Sequence, residues 1–291
     1  MGNILTKQFY RQRKDFEDSC AGRDAGLTFP EGVRCSTDIA YADDGIKAHM
    51  LDIYRPEDSQ EKILPVIINV HGGGLIIGNK EFNRYFCALL CKKGFLVYSI
   101  EYRLIPDCLM YDQISDVYMA MDYIKERLAA DGGDSSHVYM AGDSGGACLI
   151  TYANAIQNST NIARAANVTP SGLRINALGL ISGMFYTSRF DKIGLFLPKY
   201  LYGRDYKKTS FAKYVNPENR ELLNSLAPVW LVTSHNDFLR RYTTDFEKAL
   251  TRAEREHELV VFPKNKKLTH AFSVFEPFLP ESSEVIDMMV K

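Results

Sequence analysis

The stretch 137–148, HVYMAGDSGGAC, constrains this chain more than any other. Residues 137–141 have the apolar character of a strand and 147–156, ACLITYANAI, that of a helix, so Gly142, Asp143, Ser144, Gly145 and Gly146 must turn the chain sharply between them. Glycine two residues either side of Ser144 is a steric requirement, because strand end and helix start approach too closely for a Cβ. Such an elbow strains the serine backbone and lifts its hydroxyl above a sheet, with a helix N-terminus behind it that favours developing negative charge. Gly-x-Ser-x-Gly also arises in ordinary glycine-rich turns, so its meaning depends on whether the chain supplies a base, an orienting acid and converging amides elsewhere.

At 291 residues the chain fits one α/β domain, 1–291, with cap elements appended, better than two equal domains. Residues 34–41 and 47–54 alternate like an antiparallel hairpin, with turn chemistry at 42–45. Residues 63–70 (ILPVIINV) are instead a continuous apolar run, the mark of a central parallel strand, and lead straight into His71, Gly72, Gly73 and Gly74. Helices are expected over 81–93, 111–130, 242–257 and near 281–290, and strands over 95–102, 177–184, 228–234 and 259–263. This alternation predicts fold class α/β, a mostly parallel central sheet flanked by helices.

Two segments stand outside the rhythm. Residues 185–227 carry Phe185, Tyr186, Phe190, Tyr200, Tyr202, Phe211 and Tyr214, too much apolar surface for a simple connection. They read as short cap helices over the site, and equally well, residue by residue, as an extended crossover with its aromatics in the core. Residues 1–30 begin with a loose helical stripe of Ile4, Leu5, Phe9 and Phe16, and either cap a site or pack on the surface.

A serine nucleophile needs a base. His49, in an expected strand, His137, at the start of the elbow strand, and His257, near a helix end, are read as structural or exposed. His270 follows the strand 259–263 in a loop at the ligand-binding end of an open α/β sheet and is the best base. The orienting acid belongs in the loop after the preceding strand, where Asp237 is the one carboxylate; Asp245 would lie inside a helix and Glu281 beyond the base, and His235 competes poorly with His270. Three glycines after a buried strand can aim backbone N–H groups at one atom, so Gly73 and Gly74, with Gly145, are the candidate oxyanion donors. A phosphate-binding role for His71 to Gly74 is disfavoured, since no GKS, GKT or GxGxxG accompanies it.

HGGG at 71–74, YRLIP at 102–106, GDSGG at 142–146, DFLR at 237–240 and HAF at 270–272 occur in the order and spacing of the hormone-sensitive-lipase-like esterases, and over roughly 45–275 the sequence resembles that group of α/β-hydrolases. The resemblance implies an α/β-hydrolase fold with a small helical cap and a carboxylesterase-type serine hydrolase. Ser144 is then nucleophile, His270 base, Asp237 orienting acid, and Gly73, Gly74 and Gly145 the oxyanion hole. Ile105, Phe238 and Ala271 depart from the usual YRLAP, DPLR and HGF and leave the reacting groups intact. Tyr102 and Arg103 are expected to lock the loop beside the site without touching substrate. An amidase or formamidase on the same scaffold and a non-catalytic ligand receptor are the alternatives, and receptors of this kind tend to lose a triad member.

A net charge of −1 argues against nucleic acid as a partner and leaves a small-molecule ester, with the choice between monomer and homodimer open. No apolar run is long enough to cross a bilayer or to serve as a signal peptide, so no stable membrane insertion and a cytoplasmic location are expected. The six cysteines form no CxxC pair and no metal spacing, and read as reduced, mainly buried thiols. No metal or organic cofactor is needed by this chemistry.

Overall fold

The computed structural model of the chain describes residues 2–59 and 62–291. Helix α1 (Gly2–Asp24) precedes strands β1 (Val33–Ala40), β2 (Met50–Pro56) and β3 (Leu64–Val70), followed by α2 (Arg84–Lys92), β4 (Leu96–Ile100), α3 (Met110–Arg127), β5 (Gly133–Asp143), α4 (Ser144–Asn158), α5 (Thr160–Ala166) and β6 (Leu178–Ile181). Three short helices, α6 (Lys192–Phe196), α7 (Pro198–Leu201) and α8 (Arg220–Asn224), lead to β7 (Val229–Ser234), α9 (Arg240–Arg252), β8 (His257–Phe262), α10 (Phe272–Phe275) and α11 (Pro280–Met289). The eight strands among the described residues form one sheet in the order β1-β2-β4-β3-β5-β6-β7-β8, antiparallel at β1/β2 and β2/β4 and parallel elsewhere. This is the mostly parallel sheet that the alternation of elements predicts.

Side-chain alternation divides the apolar run of β3 between two cores. Val66, Ile68 and Val70 join α3, α4, α5 and α9 on one face, while Ile67 joins α2, α10 and α11 on the other. Burial on both faces explains why the run shows no polar alternation. Among the described residues no helix is long and apolar enough to cross a membrane.

Element ends differ from expectation where side chains, not periodicity, set them. The β1–β2 connection is the loop 41–49 and not a turn at 42–45: Tyr41 donates to the Glu101 carbonyl (2.9 Å), and Asp44 accepts from the Ile46 amide (2.9 Å). His49, expected in a strand, lies buried in this loop with Nδ1 2.6 Å from Asp44. α9 stops at Arg252, before the expected 257, because Glu254 takes φ +55° and the Arg255 amide folds back to Leu250 (3.0 Å). His257 is accordingly the first residue of β8, opposite Val229.

The segment 185–227 mixes short helices with buried and exposed aromatics. It contains short helices, and Tyr202, Phe211 and Tyr214 are buried, with the Phe211 ring edge-on to Tyr111 of α3 at 5.2 Å. Phe190, by contrast, is 95% exposed. α1 runs across from this segment, where Phe9 meets Tyr200 at 5.1 Å, to α2, where its Phe16 lies 4.8 Å from Phe82 just ahead of that helix.

A buried cation pins the antiparallel side of the sheet to the loop after β3. Lys80 Nζ contacts Asp52 of β2 (2.9 Å), Asp38 (2.8 Å) and Glu81 (2.5 Å). Burial works against its charge, yet these carboxylates more than reverse that effect and raise its pKa. Asp52 is buried while Asp38 and Glu81 are largely exposed, so Lys80 is the counter-ion that Asp52 cannot replace with water. Lys80→Met is therefore expected to cost about 3 kcal/mol in urea unfolding at pH 7. A loss below about 1 kcal/mol would mean that the cluster is solvated and the ion pair dispensable.

Candidate active site

β5 passes into α4 without an intervening turn: Asp143 is the last strand residue and Ser144 the first helical one, with φ +49°. The helix thus starts three residues earlier than the apolar pattern from 147 suggests, because Gly145 and Gly146 carry no signal of their own. A Cβ on Gly142 would lie 2.9 Å from the Gly146 carbonyl carbon, the strand-against-helix approach expected. Gly146 is needed for a different neighbour, since its Cβ would fall 2.1 Å from the Val70 carbonyl oxygen at the end of β3.

The structure brings Ser144, His270 and Asp237 into one line. His270 Nε2 lies 2.9 Å from Ser144 Oγ, and His270 Nδ1 lies 2.7 Å from Asp237 Oδ1. A carboxylate only accepts, so Nδ1 carries the proton toward Asp237 and Nε2 is left to accept from the serine hydroxyl. Asp237 also accepts from the Leu239 amide (2.8 Å) on Oδ1 and from Thr233 Oγ1 (2.8 Å) on Oδ2. Burial pushes its carboxyl up, but the hydrogen bond and charge of His270, with the Leu239 amide, outweigh burial and hold its pKa below the ordinary value. The exposed ring of Phe238 covers the imidazole at 4.4 Å between centroids.

The other candidates face elsewhere. His235 accepts from Arg240 (2.7 Å), His137 sits 2.7 Å from Asp134, and Asp245 pairs with Arg189 (2.8 Å). Glu281 accepts from Asn265 (3.4 Å) at the start of α11.

Beside Ser144, a Cβ on Gly145 would lie 2.8 Å from both the Gly74 and Leu75 nitrogens, which shows how closely the loop 71–78 approaches the helix start. Gly73 and Gly74 have φ of +102° and +61°. Among the described residues no acceptor takes the Gly73 or Gly74 amide, whereas the Gly72 amide is bound by Asp143 Oδ1 (3.0 Å). The site therefore presents unpaired N–H groups next to a relayed hydroxyl, an arrangement able to receive a developing oxyanion.

The profile of the alpha/beta hydrolase fold matches residues 67–273, most of the chain. The chain belongs to the α/β-hydrolase fold family. That family model is the one of the hormone-sensitive-lipase-like group, to which the chain belongs. It is 29% identical over 184 residues to a probable isoprenylcysteine alpha-carbonyl methylesterase of Oryza sativa subsp. japonica, covering 60% of this chain and 44% of that protein. It is 32% identical over 120 residues to esterase LipQ of Mycobacterium tuberculosis, covering 40% and 28%. The chain thus spans less than half the length of these curated relatives. Esterase B from Lactobacillus rhamnosis superposes on all of it and on 95% of itself, with a TM-score of 0.92 at 22% identity. A hyperthermophilic esterase from Pyrobaculum calidifontis covers 97% and 91%, with a TM-score of 0.72 at 21% identity. These last two likenesses are of fold.

Sequence reasoning misses the residues that hold this α/β-hydrolase's glycine loop. Asp143 reads as a turn residue, yet its buried carboxylate joins the Gly72 amide to Asn83 Nδ2 (2.9 Å). Burial is the main influence on its pKa, which lies above the ordinary value. Tyr102 donates to the His71 carbonyl (2.8 Å), and Arg103 forks onto Asp116 (2.6–3.1 Å), so both lock loops as expected. His71 itself is fully buried, stacked on Tyr102 at 4.4 Å. Its Nδ1 meets the Gly72 carbonyl (2.9 Å) and its Nε2 the Glu101 carboxylate (2.8 Å), two acceptors that require both nitrogens to carry protons.

Burial disfavours the His71 cation, but the charge and hydrogen bond of Glu101 and the Gly72 carbonyl overcome it, and the pKa is raised. A histidine whose folded value exceeds its unfolded one contributes stability that is complete below about pH 6.5 and is lost as pH rises through the raised value. Unfolding free energy measured in urea should fall across that window in the wild type and stay flatter in His71→Gln. Parallel profiles for the two proteins would show that His71 is neutral in the fold.

Proposed function

We propose that this α/β-hydrolase is a serine carboxylic-ester hydrolase with Ser144 as nucleophile, His270 as base and Asp237 as orienting acid. The observation that carries the reading is the continuous relay Ser144–His270–Asp237, 2.9 and 2.7 Å long, ending beside amides that have no acceptor among the described residues. Ser144 Oγ attacks the ester carbonyl as Nε2 takes its proton, and the tetrahedral oxyanion rests on the amides of Gly73, Gly74 and Gly145. The alcohol leaves with the proton from Nε2, and water repeats the cycle on the acyl-enzyme. Asp237, kept ionised, fixes the tautomer and stabilises the imidazolium formed in each step. The names of relatives as methylesterases and esterases support ester over amide.

We read α1 and the segment 185–227 as the cap, and short acyl esters as the substrate class. Tyr202, Phe211 and Tyr214, buried and packed ring against ring in that segment, support a modest acyl pocket. Esterase B, with the same fold, has been crystallised inhibited by a tributyrin phosphonate. Six free thiols, five of them buried, fit a reducing compartment, which supports a cytoplasmic location.

Ser144→Ala should lower hydrolysis of p-nitrophenyl acetate by about 10⁴-fold or more while the protein stays folded by circular dichroism. Retention of most activity would remove Ser144 from the mechanism. Across a graded series of p-nitrophenyl esters, kcat/KM should peak at acetate or butyrate, and faster turnover of the long-chain esters would overturn the acyl preference.

A further inference from the structure

Arg13 lies on the inward side of α1, on the helix that leads from Phe9 to Phe16, with its side chain 18% exposed. Its guanidinium divides its fork of donors between three backbone carbonyls and one carboxylate. Nε donates to the Ile76 carbonyl (2.8 Å), Nη2 to the carbonyls of Leu104 (3.0 Å) and Ile105 (2.6 Å), and Nη1 to Asp107 Oδ2 (2.7 Å). The Ile76 carbonyl belongs to the same rigid peptide plane as the Ile77 N–H, which donates to the Gly73 carbonyl (3.0 Å). The Gly73 carbonyl in turn shares its plane with the Gly74 N–H, an amide with no acceptor among the described residues.

We propose that Arg13 is a positioning residue for catalysis: through two consecutive peptide planes it orients the Gly74 N–H and polarises it toward the oxyanion. A cation on the Ile76 oxygen strengthens the Ile77 N–H as donor, and that bond strengthens the Gly74 N–H in the same way. Catalysis gains because the strengthened donor faces charge that exists only in the transition state. Arg13 touches no substrate. α1 thereby becomes part of the catalytic apparatus, since its docking supplies the guanidinium. The inference rests on the reading of Ser144 as nucleophile and Gly74 as an oxyanion donor.

The test compares wild type, Arg13→Gln, Arg13→Lys, Arg11→Gln and Ser144→Ala in the full chain. Arg11 is an exposed cation of the same helix and serves as the charge control. kcat and KM for p-nitrophenyl acetate are expressed per active site titrated with diethyl p-nitrophenyl phosphate, and inhibition by butylboronic acid reports binding of a tetrahedral anion. In Arg13→Gln, kcat per titrated site should fall roughly 10- to 100-fold with KM nearly unchanged, and boronate affinity should fall in parallel. Arg13→Lys should recover part of the loss, because an ammonium reaches the Ile76 carbonyl without the fork. Arg11→Gln should match wild type. If Arg13→Gln merely lowers the titratable fraction, with kcat per site and boronate affinity unchanged, the residue is structural and the inference fails while an inactive Ser144→Ala leaves the nucleophile intact. Activity retained by Ser144→Ala would overturn the underlying reading, and with it this one.

Discussion

The site depends on one backbone-against-backbone approach, that of Gly146 to the carbonyl at the end of β3. With 2.1 Å between a would-be Cβ and the Val70 oxygen, no other residue fits at 146 while β3 and β5 remain paired. Because of that contact, the first turn of α4 lies directly over the exit of β3, and the loop 71–78 has to leave across the face of Ser144. Ser144 and the glycine loop are therefore placed by a single packing event between adjacent parallel strands, and neither can move without the other.

Charge then fixes what packing brings together. His71, Glu101 and Lys80 form a run of contacts from the glycine loop to the antiparallel side of the sheet: His71 to Glu101 Oε1, Glu101 Oε2 to the Lys80 amide (2.9 Å), and Lys80 Nζ to Asp52. From the other side Asp143 takes the Gly72 amide. Buried ions contribute little net stability when paired and cost several kcal/mol when separated, so such a network gives precision more than stability. A loop that keeps the Gly73 and Gly74 amides unpaired among the described residues has to be held by other groups, and here the Gly72 amide and the Gly72, Gly73, Leu75 and Ile76 carbonyls hold it.

The fold was legible in the sequence because β3 carries the continuous apolar run of a buried parallel strand and 137–156 carries a strand pattern, a glycine-flanked turn and a helix pattern in immediate succession. Ser144 and His270 were legible through chemistry and chain order, and Asp237 as the one carboxylate in its loop. What lay hidden depends on contacts distant in sequence. Nothing in the sequence distinguishes Arg13 from the other cations of α1, because its partners lie 63 to 94 residues away. The ends of α9 and of the β1–β2 loop were misplaced because a left-handed Glu254 and the bonds of Tyr41 and Asp44 set them, and hydrophobic period carries no information on either.

Backbone strain is distributed in a way that bears on the mechanism. Seven non-glycine residues among those described have positive φ, and four of them, Leu75, Ser144, Ser182 and Ala271, surround the relay. A left-handed residue with a Cβ costs about 1 kcal/mol or more and persists only where its surroundings impose it. Ala271 is imposed on from both sides: its amide donates to Ser182 Oγ (3.0 Å), its carbonyl accepts from Val274 (2.9 Å), and its methyl is buried in the core that α2 and α11 share. Two strained residues hydrogen-bonded to each other thus anchor the His270 loop to the end of β6, while a third carries the hydroxyl. Relaxing any one would move the imidazole relative to Ser144 Oγ, so the strain is the means by which a 2.9 Å contact between residues 126 positions apart is kept in register.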